Sequence, residues 1–313
     1  STFITYQYLD VIYRRADYAL ALEFTQCAGM MSNPIGITAM NPVQVIAVTS
    51  GKGGVGKSNV SVNLSCQLAK QGKRVLLMDA DLGLANVDIL MGLRPSKNLS
   101  HVLDGSCELR DTLLEGAFGV TLIPAASGIR GMADLNPSQH ARLVQAFSTL
   151  EDDYDVLVVD TAAGISDSVV SFSRASQHVV VVITEEPTSL ADAYGLIKVL
   201  TRDAGVKKFR IVCNMASSDA QARKVFERLC AVTERFLDVQ LTLECAIPRD
   251  EFLLKAVSRQ KPVSELFPAT ECVQAFSRLA TASLTWRSSS NLRGHIEFFF
   301  ERMLPAPEVS IAC

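Results

Sequence analysis

Residues 51–58, Gly-Lys-Gly-Gly-Val-Gly-Lys-Ser, decide the fold of this chain. They follow an apolar, β-branched run at 43–49 and precede a stretch at 59–71 whose apolar residues suit a helix. Glycines let the backbone wrap closely around an anion, and successive N–H groups at a helix N-terminus attract negative charge. The order of strand, glycine-rich loop and helix therefore predicts a phosphate-binding loop, or P-loop, of the pattern G-x-x-x-x-G-K-[ST].

Strand and helix patterns alternate along most of the chain. Strands are predicted at 43–49, 75–78, 120–123, 156–159, 179–183, 209–213 and 239–247. Helices are predicted at 59–71, 137–150, 189–200, 219–236, 250–259 and 270–284. Continuous apolar strands are buried on both faces, as in parallel sheets flanked by helices. We therefore predict a single α/β domain with one doubly wound, mostly parallel sheet and helices on both faces.

Composition sets limits on the class of protein. The chain has 313 residues, of which 48% are hydrophobic and 20% charged, and its net charge of -3 gives no general attraction to nucleic acid or anionic lipid. Eight cysteines are present without a C-x-x-C pair, so we expect reduced, mostly buried thiols. No apolar stretch approaches the roughly 18 residues of a membrane span, and the first residues of this sequence lack the basic region, apolar run and small-residue cleavage site expected of a signal peptide.

Three segments are predicted. Residues 1–40 hold four of the six tyrosines and differ in composition from the rest, so we predict a poorly ordered extension, with an amphipathic helix as the alternative. Residues 41–286 form the P-loop domain. Residues 287–313 comprise a serine-rich linker and a short amphipathic helix.

Two residues at the end of the P-loop have side chains suited to binding Mg²⁺ and phosphate. Lys57 adds a positive charge at the β- and γ-phosphates of a nucleotide, and the Ser58 hydroxyl ligates Mg²⁺. Two later strands end in aspartates, with Asp79-Ala80-Asp81 after one and Asp160 after the other. A single aspartate at a strand end is often a helix cap. Their order after a P-loop favours instead a site for Mg²⁺ and a nucleoside triphosphate.

Lys52 extends the pattern to K-G-G-x-G-K, which resembles the deviant Walker A family that includes MinD and ParA. The resemblance implies an ATPase in which Lys52 reaches the partner subunit's phosphates, so that ATP is held between two subunits of a homodimer. It also implies that Asp81 positions or deprotonates the attacking water, and that Asp160 holds the Mg²⁺ shell. Gly164 would sense the γ-phosphate.

The same resemblance defines the whole set of predicted site residues. Asn214 would bind adenine, with Pro248 and Arg249 lining the pocket, although a turn residue is the alternative for Asn214. Predicted catalytic residues are Asp81, Lys52 and Lys57, and predicted metal ligands are Ser58, Asp81 and Asp160. Predicted nucleotide contacts are Gly51, Lys52, Gly53, Gly54, Val55, Gly56, Lys57, Ser58, Asn59, Asp160, Gly164, Asn214, Pro248 and Arg249.

Within that family the chain is most similar to the FlhG/FleN regulators of flagellar number. The similarity rests on residues 79–88 (DADLGLANVD), 160–165 (DTAAGI) and 293–302 (RGHIEFFFER). It implies antagonism of a flagellar transcription activator and cooperation with an FlhF-type GTPase. The D-Q-A-x-x-L-R peptide of many FlhG proteins has no match here, which puts activation of that GTPase in doubt.

Two alternatives come from other branches of the family. One is a MinD-like regulator of the division site, and the other is a ParA-like ATPase that positions DNA or cargo. Direct DNA binding needs a basic face, for which the candidates are Lys207, Lys208, Arg210, Arg223, Lys224 and Arg228. A solvated helix face is the favoured interpretation of these residues.

The tail has a regular apolar pattern. Ile296, Phe299, Phe300, Met303 and Leu304 occupy one face of a helix. MinD relatives use such a tail as a reversible membrane anchor, so the resemblance implies a cytoplasmic protein that associates reversibly with the inner face of the cytoplasmic membrane. The tail is short and nearly neutral, whereas interfacial helices are usually rich in lysine or arginine. Docking of the tail in a protein groove therefore stays open as the alternative.

Overall fold

A computed structural model gives the fold. It describes residues 43–81, 86–125, 137–150 and 153–286, and every structural statement below concerns these residues. The predicted N-terminal extension at 1–40 and the tail residues from Ile296 to Leu304 lie outside them. The boundaries of the three predicted segments remain predictions.

One eight-stranded sheet forms the centre of the described chain. Its strands are β1 Gln44–Ser50, β2 Val75–Ala80, β3 Leu114–Glu115, β4 Thr121–Ile123, β5 Val156–Ala163, β6 His178–Ile183, β7 Lys208–Ala216 and β8 Gln240–Pro248. Their order across the sheet is β3-β4-β2-β5-β1-β6-β7-β8. All neighbouring pairs are parallel except β3 and β4, which are antiparallel. The doubly wound, mostly parallel sheet predicted from the sequence is confirmed.

Helices connect the strands and cover both faces of the sheet. They are α1 Lys57–Lys70, α2 Val87–Met91, α3 Leu99–Asp104, α4 Pro137–Ser148, α5 Asp167–Ala175, α6 Pro187–Ala204, α7 Asp219–Phe236, α8 Glu251–Ser258, α9 Val263–Leu266 and α10 Glu271–Ser283. None of these helices is both long and apolar enough to cross a membrane.

Alternate residues of β1 point to opposite layers, as the two-residue period of a strand requires. Ile46 and Val48 pack in one core with Phe276 of α10, whereas Val45 packs in a second core with Phe147 of α4. All five side chains are at most 2% exposed. Fully burying one such side chain stabilises the fold by roughly 1.5–3 kcal/mol. The central strands are therefore fixed from both faces, which gives the strand ends a rigid base.

The structure corrects two strand ends. Strand β5 continues past the predicted end at residue 159 to Ala163, because Thr161 and Ala163 keep pairing with Ala80 and Ser50. Strand β7 continues past residue 213 to Ala216. Asp160 and Asn214 therefore lie inside strands. Helix α5 was not predicted, because its sequence DSVVSFSRA is rich in serine and β-branched residues, which are weak helix formers.

Candidate nucleotide site

The predicted loop sits at the carboxyl end of the central strand, between β1 and α1. Gly54 and Gly56 have φ angles of 81° and 82°, in the left-handed region that favours glycine. A side chain on Gly56 would also begin 2.3 Å from Nδ2 of Asn214. The loop backbone is therefore shaped by glycine both in its dihedral angles and in its contact with strand β7.

Lys57 and Asp160 form a buried ion pair under the loop. Lys57 Nζ lies 3.0 Å from Asp160 Oδ1, and the Ser61 hydroxyl donates to the same oxygen at 2.6 Å. The two charged residues are 7% and 1% exposed. Buried charges are costly unless they are paired and hydrogen-bonded, which both are here. The P-loop lysine and the strand β5 aspartate predicted from the sequence are thus brought together.

Strand β2 places its aspartates beside β5. Asp79 pairs in register with Asp160 on the neighbouring strand, and Asp81 follows the last residue of β2. Burial, and next the Asp160 carboxylate, raise the pKa of Asp79 to about 7, although three backbone N–H groups that donate to it act in the opposite direction. Asp81 therefore lies at the same sheet edge as Lys57 and Asp160.

The turn after β5 closes back on the P-loop. Gly164 has a φ of 95°, and its N–H donates to the carbonyl oxygen of Ser50 at 2.8 Å. Ile165, next in the chain, is 57% exposed. A backbone N–H held at this position is the group that the sequence predicted as a γ-phosphate sensor.

Asn214 is buried against the P-loop. Its Nδ2 donates to the carbonyl oxygen of Val55 at 2.8 Å, and its Oδ1 has no hydrogen-bond partner among the described residues. Such an acceptor is costly to leave unpaired in a protein interior. Pro248 pairs with Ala216 at the end of β7, and the N–H of Arg249 donates to the Ala216 carbonyl at 3.2 Å. The predicted base-binding residues thus meet at one strand edge.

Lys52 also pairs with a carboxylate, but unlike Lys57 it is partly exposed. Its Nζ lies 2.7 Å from Glu186 Oε2 and 3.1 Å from Thr188 Oγ1, at the start of α6. The Lys52 and Glu186 side chains are 32% and 65% exposed. This hydrogen bond and the lysine charge lower the pKa of Glu186. Lys52 therefore faces outward at the rim of the loop.

A cleft of about 360 Å³ opens beside this rim. Its lining residues are Lys52, Gly53, Gly54, Val55, Thr184, Glu185, Glu186, Met215 and Arg249. The Thr184 hydroxyl oxygen is buried without a hydrogen-bond partner among the described residues. Met215 has a φ of 55° and is 40% exposed, an unusual conformation for a side chain of this size. Strain of this kind often occurs at functional sites.

Three residues of the site were missed by the sequence analysis. Ser61 lies one turn beyond Lys57 on α1, so the helical period could have indicated it. Asp79 stood in the same acidic motif as Asp81. Glu186 lies between strand β6 and α6, directly before Pro187, the first residue of that helix. Its position after a strand end is the signal that could have indicated it as a site residue.

The donor set suits magnesium. Ser58, Asp81 and Asp160 offer hydroxyl and carboxylate oxygens, which are the ligands that Mg²⁺ prefers. Among the described residues, no cluster of three or more His, Cys, Asp or Glu side chains forms an all-protein cage. Magnesium in nucleotide sites is usually held by one or two carboxylates together with substrate phosphates. These residues therefore fit that ion.

The chain is similar in sequence to proteins of a known family. Residues 43–211 match the family model described as an AAA domain. The chain is 56% identical over 274 residues to antiactivator FleN of Pseudomonas aeruginosa, covering 88% of this chain and 98% of that protein. It is 32% identical over 263 residues to flagellum site-determining protein YlxH of Helicobacter pylori, covering 83% and 89%.

A solved structure shares the fold. The septum site-determining protein MinD of Pyrococcus horikoshii, complexed with Mg-ADP, superimposes with a TM-score of 0.61 at 25% identity. The match covers 77% of this chain and 95% of that one.

Proposed function

The chain belongs to the FleN family of MinD/ParA-type P-loop ATPases, and from this premise we propose that it is an ATP-dependent dimerising switch that regulates flagellar number. It is an ATPase that uses ATP with Mg²⁺. The observation that carries the proposal is the contrast between its two loop lysines. Lys57 is buried on Asp160, whereas Lys52 lies at the exposed rim of the loop.

Nucleotide binding uses the pair under the loop. The triphosphate offers Lys57 a second anionic partner, and the N–H groups of the loop and of the first turn of α1 receive the phosphate oxygens. Ser58 and Asp160, with Asp81 nearby, would hold Mg²⁺, which supplies charge neutralisation on the β- and γ-phosphates. Ser61 keeps its hydroxyl on Asp160 and so fixes the carboxylate while Lys57 moves.

Hydrolysis is assigned to Asp81. Asp81 directly follows β2, which pairs with the strand that carries Asp160, and this position supports the assignment. There Asp81 orients a water molecule for in-line attack and takes its proton. We assign the γ-phosphate contact to the N–H of Gly164, which donates to the Ser50 carbonyl oxygen at 2.8 Å and would have to leave it to bind the phosphate. That movement would report the state of the nucleotide to exposed Ile165.

Dimerisation is assigned to Lys52. The Lys52 ammonium is partly exposed at the rim of the loop, which leaves it accessible to a phosphate on a facing subunit. The rim also carries Glu186, Met215 and Arg249 around the cleft, which gives a second subunit a mixed polar and apolar surface to contact. ATP would then be enclosed between two chains.

Base selection is assigned to Asn214. With Nδ2 committed to Val55, the amide presents Oδ1 as an acceptor. An acceptor matches the exocyclic amine of adenine and opposes the carbonyl oxygen that guanine carries at the same ring position. Arg249 and Pro248 follow on the adjacent strand end and would line the base.

The partner class follows from the family. FleN of Pseudomonas aeruginosa bears the name antiactivator, and we propose the same role here, with a flagellar transcription activator as the partner and an FlhF-type GTPase as a second contact. Charge pairing in the structure disfavours a DNA-binding face. Lys207 pairs with Asp238 at 3.1 Å, and Arg210 pairs with Glu244. Two of the six cations proposed for such a face are thus neutralised.

The tail is proposed as a reversible anchor. Its apolar face, from Ile296 to Leu304, is too short for tight lipid binding as a single copy, but a dimer presents two copies and gains avidity without new contacts. Liposome flotation in ATP and in ADP tests this, with a Phe299→Glu/Phe300→Glu variant as control. Equal flotation in both nucleotides would contradict the nucleotide-dependent switch, and no flotation in either would favour docking of the tail on protein instead.

A pull-down tests the regulatory role. The tagged protein, loaded with ATP or with ADP, is incubated with a purified flagellar transcription activator. We expect retention of the activator in ATP, and loss of retention in ADP and in a Lys52→Ala variant. Equal retention of the activator in both nucleotides would contradict the ATP-dependent switch. Retention of a division-site partner in place of the activator would favour the MinD-like alternative.

A further inference from the structure

The Asp79 carboxylate holds together the two ends of a short segment that begins at Asp81 and ends at Val87. Its Oδ1 accepts the N–H of Asp81 at 3.1 Å. Its Oδ2 accepts the N–H groups of Asn86 at 3.1 Å and Val87 at 3.2 Å. The residue itself is 1% exposed. One side chain therefore fixes both ends of the segment that begins with the proposed catalytic aspartate.

Burying a charged carboxylate at this position is unfavourable in free energy. Asp79 lies in register with Asp160, and adjacent strands are only about 4.8 Å apart. Two neighbouring carboxylates oppose each other's charge, and burial disfavours each of them. Asp160 is compensated by Lys57 and Ser61, whereas the Asp79 carboxylate accepts hydrogen bonds from three backbone N–H groups beyond the end of β2.

We propose that Asp79 is a positioning residue for ATP hydrolysis, which sets the place of Asp81 by clamping the Asp81 N–H to the Asn86 and Val87 N–H groups. The inference rests on the proposed role of Asp81. Both Asp79 oxygens accept from the backbone, so the residue acts through the loop and not as a ligand of the phosphates. Misplacing a catalytic group by about 1 Å can cost about 10²-fold in rate.

The test is a double-mutant cycle of Asp79→Asn and Asp81→Ala in the full-length protein. Asparagine keeps the shape of the aspartate side chain but replaces one acceptor oxygen with an NH₂ group. That group is a donor and cannot accept a hydrogen bond from the backbone N–H that it faces. We expect kcat to fall about 10²-fold with the KM for ATP within about threefold of wild type. Adding Asp79→Asn to Asp81→Ala should lower kcat no further, since the two residues act as one unit.

Asp88→Asn is the matched control, because it removes a charge from the same segment. The Asp88 carboxylate accepts only the N–H of its neighbour Ile89, at 2.8 Å, and clamps no distant residue. Its kcat should stay within about twofold of wild type. Binding of a fluorescent ATP analogue and the Mg²⁺ concentration for half-maximal activity should be unchanged in Asp79→Asn.

The outcomes separate two failures. If Asp81→Ala turns ATP over normally, the proposed role of Asp81 is wrong. If Asp81→Ala is inactive and Asp79→Asn is normal, only the present inference is wrong. Three other results would also overturn the inference that Asp79 positions Asp81. They are multiplicative losses of kcat in the double variant, a raised Mg²⁺ requirement in Asp79→Asn, and loss of ATP binding in Asp79→Asn. Each would assign Asp79 a structural or metal-binding role instead.

Discussion

Lys52 Nζ lies 2.7 Å from Glu186 Oε2 within the same chain. The lysine proposed to reach a partner's phosphates is thus held by an acidic residue of its own subunit. Both side chains are accessible to solvent, so the pair is weak and readily exchanged. In the proposed dimer, the phosphate of the partner subunit would compete with Glu186 for the charge of Lys52.

Replacing Glu186, the carboxylate that binds Lys52 within its own chain, should favour the dimer. In Glu186→Gln, Lys52 loses its local counter-ion. We expect the dissociation constant of the ATP-dependent dimer to fall about two- to fivefold, which is the scale of an exposed ion pair. Analytical ultracentrifugation in a slowly hydrolysed ATP analogue measures it. Asp203→Asn, which removes an exposed charge near the other end of α6, is the control. An unchanged or higher Kd in Glu186→Gln would show that Glu186 does not compete for Lys52.

Asn214 should set the choice between ATP and GTP. Truncation to alanine removes the acceptor for the adenine amine and leaves the buried Val55 carbonyl without its donor. Loss of the Val55 contact acts on both nucleotides alike, so we expect ATP affinity to fall about tenfold more than GTP affinity, the scale of one net hydrogen bond. Competition of unlabelled ATP and GTP against a fluorescent nucleotide gives both values in one assay. An equal loss for the two nucleotides would mean that Asn214 supports the loop without reading the base.

Much of this site was predictable from sequence, because its groups come from short motifs at strand ends. The P-loop glycines, Lys57 and the Asp160 strand follow from local pattern and from parallel strands that share one edge. Contacts between distant segments could not be predicted in the same way. Lys52 and Glu186 are 134 residues apart in sequence, and their contact depends on how α6 starts against the loop.

His178 should make stability depend on pH. It is 6% exposed, its Nε2 has no partner among the described residues, and it meets Trp286 edge-on at 5.3 Å. Burial, and next the charge of Arg210, lower its pKa from 6.5 to about 4. The unfolded chain therefore binds the extra proton between about pH 6.5 and 4, so this residue's contribution to stability falls as pH falls through that window.

Denaturant unfolding at pH 7.5 and pH 5, followed by fluorescence of the single tryptophan, Trp286, measures the effect. Between these two pH values the wild-type protein should lose about 2 kcal/mol more than His178→Gln, because the step to pH 5 covers only part of the window between the two pKa values. A variant with the same pH dependence as wild type would mean that other groups control acid sensitivity.

Residues 1–39 should be dispensable for catalysis. All the described site residues lie between residues 43 and 286, and the composition of the first 40 residues differs from that of the domain. We expect a protein starting at Met40 to keep kcat and KM within about twofold of the full chain. Circular dichroism and ATPase assays decide it, and a truncated protein that fails to fold would place part of the N-terminal segment in the core.

The central claim is an ATP-dependent dimer that hydrolysis dissolves, and the molar mass of Asp81→Ala in each nucleotide tests it most directly. Light scattering during size-exclusion chromatography should give twice the chain mass of 33.9 kDa in ATP and the single chain mass in ADP. Lys52→Ala and Lys57→Ala should remain monomeric in both, the first for lack of a cross-subunit contact and the second for lack of nucleotide. A monomer in ATP for Asp81→Ala, or a dimer in ATP for Lys52→Ala, would contradict the account.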